Sequence, residues 1–113
     1  MHNYKEMLEE TMANLGKFGE LTPEQMKGFH GLMESTEKEG ALDKKQKELI
    51  ALSIAVATRC DYCIAFHVKG ALDAGAKKEE ILEAGWVAVL MGGGPALMYF
   101  QGVLKALADF GQA

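Results

Sequence analysis

The sequence predicts an all-α protein, a compact single-domain bundle of about six helices over residues 1–113, and three observations carry that expectation. Thirteen Leu and fifteen Ala stand against thirteen Val, Ile and Thr combined, a balance that favours helix over strand. Apolar residues recur at spacings of three and four, and no stretch sustains the period-two alternation of a half-buried strand. Capping residues and glycines punctuate the chain at helix-length intervals.

The first helix is expected along the stripe Tyr4, Leu8, Met12, Leu15 and Phe18, with Gly16 and Gly19 weakening its end. Thr22-Pro23-Glu24-Gln25 predicts the next start: Thr22 as cap, Pro23 at the first helical position and Gln25 closing a capping box. Met26, Phe29 and Met33 line that helix, and Gly40 is expected to end it. Asp43 caps a third helix that is apolar from Leu49 to Ala57 apart from Ser53, a pattern that predicts burial on every side. Asp61 is placed to cap a fourth helix, whose Ile64, Val68, Ala71 and Leu72 face inward until Gly75 stops it. A fifth helix is expected from about Lys78 to Met91, with Lys77 where a Ser or Thr cap is usual, and a sixth from Pro95 to Phe110.

Composition narrows the function classes. With 49% hydrophobic and 25% charged residues the chain lies outside the disordered range, and its length suits one domain able to sustain a core. A net charge of −4 with a single arginine, Arg59, argues against nucleic acid as a partner. The first residues lack the basic start and apolar run of a secretory signal, so a cytoplasmic location is expected. No charge occurs from Ala84 to Leu104, but Gly92-Gly93-Gly94-Pro95 interrupts the run before either half reaches the ~20 residues a membrane span needs. Two buried helices are expected there rather than a membrane segment, and the glycines lack the Lys and hydroxyl of a phosphate loop.

Chemistry concentrates in Cys60-Asp61-Tyr62-Cys63-Ile64-Ala65-Phe66-His67. Two cysteines three apart suit redox or metal chemistry better than the stapling of distant loops. On a helix starting near Asp61, Cys63 lies in the first turn and His67 four residues on, along the same face. A helix start, an imidazole and the nearby Arg59 are each able to lower a thiol pKa from about 8.5. A zinc site is the competing reading, with Cys60, Cys63 and His67 as three ligands and Glu48 as the fourth; the other histidines are His2 and His30. Glu48 is the last polar residue before the third helix turns apolar, and a chain reversal after Arg59 would bring it to the cysteines as a proton acceptor. Trp86, Met91, Met98, Tyr99 and Phe100 cluster around the triple glycine as core, subunit contact or substrate wall.

Glu48, then Cys60-x-x-Cys63 twelve residues on, His67, and the following Ala71-Leu72-Asp73-Ala74-Gly75-Ala76 and Glu79-Glu80-Ile81 together resemble the alkylhydroperoxidase D-like branch of the carboxymuconolactone decarboxylase family. The likeness covers roughly residues 32–110. It implies an all-helical fold assembled as a homo-oligomer, trimer or hexamer, with Glu48, Cys60, Cys63 and His67 as a proton-relay and dithiol site that uses no metal or flavin cofactor. The implied activity is a thiol peroxidase or disulfide reductase, acting on a peroxide or small disulfide and recharged by a dithiol reductant protein. In this reading Cys63 attacks and Cys60 resolves, the reverse order also fitting the motif. The founding peroxidases carry a second His just before the second Cys, where this chain has Tyr62, a phenol of pKa about 10. A lactone decarboxylase, a branch without the dithiol, and a non-catalytic helical oligomer that senses redox state are the alternatives.

Overall fold

The computed structural model describes residues 3–112. Among them there is no strand; five helices follow one another as α1 (Tyr4–Leu21), α2 (Pro23–Glu37), α3 (Lys44–Ala57), α4 (Asp61–Asp73) and α5 (Lys78–Asp109). The all-helical, single-domain expectation is met. The fifth and sixth expected helices are joined as one element, in which Gly93 alone is marked by non-helical backbone angles (φ 70°, ψ −152°). One glycine suffices for the break, because only a residue without Cβ takes that conformation cheaply. By length and composition α5 could cross a bilayer. The break at Gly93 leaves neither half with the ~20 residues required.

α3 lies at the centre, packed on α4 and α5, while α1 leans on α4 and α5. The fully buried side chains come from the three central elements: Leu52 and Val56 of α3, Ile64 and Val68 of α4, Ile81, Val103 and Leu107 of α5. Each removes enough apolar surface from water to contribute about 1.5–3 kcal/mol. Ser53 joins α3 to α5 through a hydrogen bond from its hydroxyl to the Ala84 carbonyl at 2.8 Å. Lys45 and Glu80 pair at 2.9 Å between the starts of the same helices, which raises the ammonium pKa and lowers the carboxyl pKa.

Several local expectations are met and others corrected. Asp43 caps α3 with a complete capping box, its carboxylate accepting from the Gln46 N–H and Gln46 Oε1 accepting from the Asp43 N–H. Gly75 ends α4 with a left-handed φ of 92°. Thr22, by contrast, makes no side-chain cap; its hydroxyl donates back to the Phe18 carbonyl at 2.8 Å, and α1 runs through Gly16 and Gly19 to Leu21. α2 ends at Glu37, before Gly40. It packs chiefly on α1 and buries none of its residues, so Phe29 is open rather than part of a core. Only Tyr4 and Met7 of α1 are buried, and Met12 and Phe18 of the expected stripe are exposed. α3 is not buried all round either, since Ile50 and Ile54 are exposed, as are Trp86, Leu90 and Met91 of α5.

Close packing of α5 on itself depends on Gly85. A Cβ there would overlap the ring of Phe100, which is buried and held edge-on by Trp86 with ring centroids 5.5 Å apart. Gly85→Ala is expected to destabilise the fold by about 1–3 kcal/mol through overpacking, despite the better helix propensity of Ala. Urea unfolding with unchanged m-value checks it.

Candidate functional site

The corner between α3 and α4 is built almost entirely from backbone hydrogen bonds around Cys60. Its N–H donates to the Ala55 carbonyl at 3.0 Å, and the Arg59 N–H donates to Val56 at 3.2 Å, closing the last turn of α3. That paired closure requires a left-handed residue just beyond the helix end. Gly75 and Gly111 supply it for α4 and α5, but here it is Arg59, at φ 58°. The left-handed region costs a residue with a Cβ about 1–2 kcal/mol. Nothing in the composition of the segment signals this conformation; the sequence marks Arg59 only as a charge.

Cys60 is also the N-cap of α4, with its sulfur accepting the Cys63 N–H at 3.2 Å. The expected cap, Asp61, is instead the first residue of the helix. The extended backbone of Cys60 explains the exchange, since a cap must precede the helical angles and Asp61 already has them. Cys60 and Cys63 are joined as a disulfide with Cα atoms 5.2 Å apart, within the ordinary range for such a bridge. Both cysteines are partly exposed. The helix start aims its unsatisfied N–H groups and positive dipole end at this position, which favours a thiolate once the bridge opens.

Glu48 and His67 meet deeper in the same angle between helices. The His67 Nδ1 lies 3.0 Å from Glu48 Oε2, and the carboxylate is 4% exposed. With Glu48 ionised, Nδ1 carries the proton and donates, leaving Nε2 as an acceptor. Space for the carboxylate comes from Gly70 on α4, where a Cβ would overlap the Glu48 side chain. Glu48 also forms part of the wall of a cleft of about 480 Å³ bounded by Leu8, Met12, Phe66 and Lys69. The structure thus brings Glu48 of α3 to His67 of α4, and Cys60 to Cys63, at successive turns of one helix. Cys63 and His67, four residues apart, share a helical face.

Tyr62 is half exposed, with its hydroxyl 3.5 Å from Glu10 Oε1. Among the described residues no group of three His, Cys, Asp or Glu side chains is arranged to hold a metal ion; His2 lies outside the described residues. His30 is on α2, where it stands 3.6 Å from Glu34.

The sequence profile of the carboxymuconolactone decarboxylase family matches residues 23–106. The chain belongs to the carboxymuconolactone decarboxylase family. A carboxymuconolactone decarboxylase family protein from Legionella pneumophila, solved in its apo form, superposes with a TM-score of 0.91 at 44% identity, covering 95% of this chain and 96% of that one. A family protein from Thermotoga maritima, described with a suggested part in the antioxidative response, gives 0.77 at 28% identity over 94% of this chain and 96% of that one. An uncharacterised protein of Cupriavidus necator is 39% identical over 106 residues, 94% of this chain and 91% of its own length.

Within this family fold, the room left by Gly70 is what lets the buried carboxylate reach the imidazole. Gly70→Ala is expected to displace Glu48, cost about 1–3 kcal/mol and change the His67 tautomer ratio. Nitrogen-15 chemical shifts of the ring read the last effect, and an unchanged spectrum would show that the contact does not need the missing side chain.

Proposed function

We propose that the chain is a thiol-dependent oxidoreductase, an alkylhydroperoxidase-like enzyme that reduces a peroxide or a small disulfide and is recharged by a dithiol. The observation that carries this reading is the Cys60–Cys63 pair at the start of α4, one turn before the His67–Glu48 contact. Membership in the carboxymuconolactone decarboxylase family and the antioxidative association of the Thermotoga relative support it.

In the reduced state the Cys63 thiolate attacks one peroxide oxygen, and the O–O bond breaks. Cys63 becomes a sulfenic acid and the departing alkoxide takes a proton to leave as alcohol. His67, oriented by Glu48, accepts the Cys63 thiol proton on Nε2 as the thiolate forms and returns that proton to the alkoxide. The Cys60 thiolate then attacks the Cys63 sulfur, forming the S–S bond and expelling the hydroxyl, which leaves as water after taking a further proton. The hydrogen bond from the Cys63 N–H to the Cys60 sulfur favours the charge that Cys60 carries in this step. An external dithiol returns two electrons and two protons, restoring both thiols and becoming a disulfide itself.

Steady-state consumption of an organic hydroperoxide with dithiothreitol as reductant tests the reading. Cys60→Ser and Cys63→Ser are each expected to lower turnover at least ~100-fold, and Glu48→Gln by about 100-fold, the low end of the range for a lost acid–base group. A sulfenic acid trapped in Cys60→Ser but not in Cys63→Ser fits the assigned order. No turnover by the parent protein, or full turnover without the cysteines, overturns the proposal.

The same reading includes a homo-oligomer, trimer or hexamer. Trp86, Leu90 and Met91 of α5 and Ile50 and Ile54 of α3, which packs on it, stand exposed, apolar surface that a second copy of the chain would cover. Light scattering should give a multiple of the protomer mass, and Leu90→Glu should lower it; a monomeric parent protein would sink the assembly.

A further inference from the structure

Two residues outside the family-matched segment, Tyr4 and Asp109, fix how α1 meets the dithiol helix, with Tyr4 reaching it. Tyr4 opens α1 and is buried. Its backbone N–H donates to Asp109 Oδ2 at 2.8 Å, and Lys105 pairs with the other oxygen of that carboxylate from one turn away on α5. Hydrogen bonds from Lys105, and then from the Tyr4 backbone, hold the Asp109 carboxyl below its ordinary range. This anchor fixes where the phenol ring goes. The ring reaches over Gly102, where a Cβ would overlap the phenol oxygen, and its hydroxyl donates to Asp61 Oδ1 at 3.0 Å.

Asp61 is the residue between Cys60 and Tyr62, inside the Cys-x-x-Cys motif and first in α4. A carboxylate there sets a negative charge on the residue next to Cys60, at the helix end that otherwise favours a thiolate. We propose that the Tyr4 hydroxyl tunes the reduction potential of the Cys60–Cys63 pair by holding the Asp61 carboxylate and drawing its charge toward α1. Tyr4 is then a positioning residue for the redox centre, and the inference rests on the redox reading given above. An apolar ring would fill the same space as well, so packing alone does not call for the hydroxyl. Burial, and then the bond to Asp61, push its pKa well above that of an ordinary phenol, so it stays a proton donor throughout the range in which thiols ionise.

The affected step is the exchange with a dithiol. One thiolate of the reductant attacks Cys63, the S–S bond breaks and Cys60 leaves as thiolate. The second thiol of the reductant then closes its own disulfide and releases Cys63. Two electrons pass to the protein, and the two protons of the reductant end on Cys60 and Cys63 or in solvent. Less favourable thiolates make the reduced protein less stable, so removing the Tyr4 hydroxyl shifts the balance toward the disulfide.

Equilibration of the full chain with dithiothreitol and its cyclic disulfide, read by thiol alkylation and mass, measures that balance. Tyr4→Phe is expected to favour the disulfide at least about threefold, which is about 14 mV for a two-electron couple at ~30 mV per tenfold. Asp61→Asn should shift it the other way, and the double variant should match Asp61→Asn, because the hydroxyl then has no charge to hold. A merely structural Tyr4 would lower the melting temperature and leave the potential unchanged, which would overturn the inference while leaving the redox reading intact. A parent protein that does not cycle reversibly would overturn both. If Tyr4→Phe fails to fold, Asp61→Asn decides alone: an unchanged potential rejects the role of the carboxylate.

Discussion

A carboxylate withdrawn from water must find a partner, and in this fold that demand falls on Glu48. Left unpaired at 4% exposure, it would lose its hydration with nothing in return. The imidazole of His67 meets it at 3.0 Å, and the bare backbone of Gly70 lets the two helices approach closely enough for the contact. The pair therefore acts as a constraint on the angle between α3 and α4, the same angle whose apex carries the two cysteines. Packing of Leu52 and Val56 against Ile64 and Val68 supplies the adhesion between the helices. The polar contact selects one arrangement among those that such interchangeable apolar surfaces would allow.

Much of this was legible in the chain itself. The composition and the three-and-four spacing identify a helical protein, and Asp43 and Gly75 act as written because their signals depend on a few neighbouring residues. The spacing from Glu48 through Cys60 and Cys63 to His67 marked the site through family resemblance, and the fold brings Glu48 and His67 together. Other readings failed where local preference met a tertiary alternative. Thr22 has the residue type of a cap, yet its hydroxyl is taken by Phe18 of the preceding helix. Asp61 has the same preference, but the backbone of Cys60 had already taken the capping conformation. Tyr4 looked like one member of an apolar stripe, and no local pattern tells that its hydroxyl ends on a carboxylate 57 positions away.

The uneven burial follows from the same limits. An apolar run reports that a side chain avoids water, not which neighbour removes it. In α3 the inward face meets α4 and α5, while Ile50 and Ile54 of the same run stand open. The charge-free stretch of α5 divides likewise: Val103 and Leu107 complete the core, and Leu90 and Met91 do not. α2 carries this further, since it leans on α1 and contributes nothing to the interior. The segment that houses the site is thus the best packed part of the chain, with its flanks added from outside.

Cys60 belongs to two helices at once. Its nitrogen finishes α3 through Ala55, and its sulfur begins α4 through Cys63. Glu48 rides on the first of these helices and His67 on the second. A change at that one residue therefore acts at the junction of the two helices that carry Glu48 and His67.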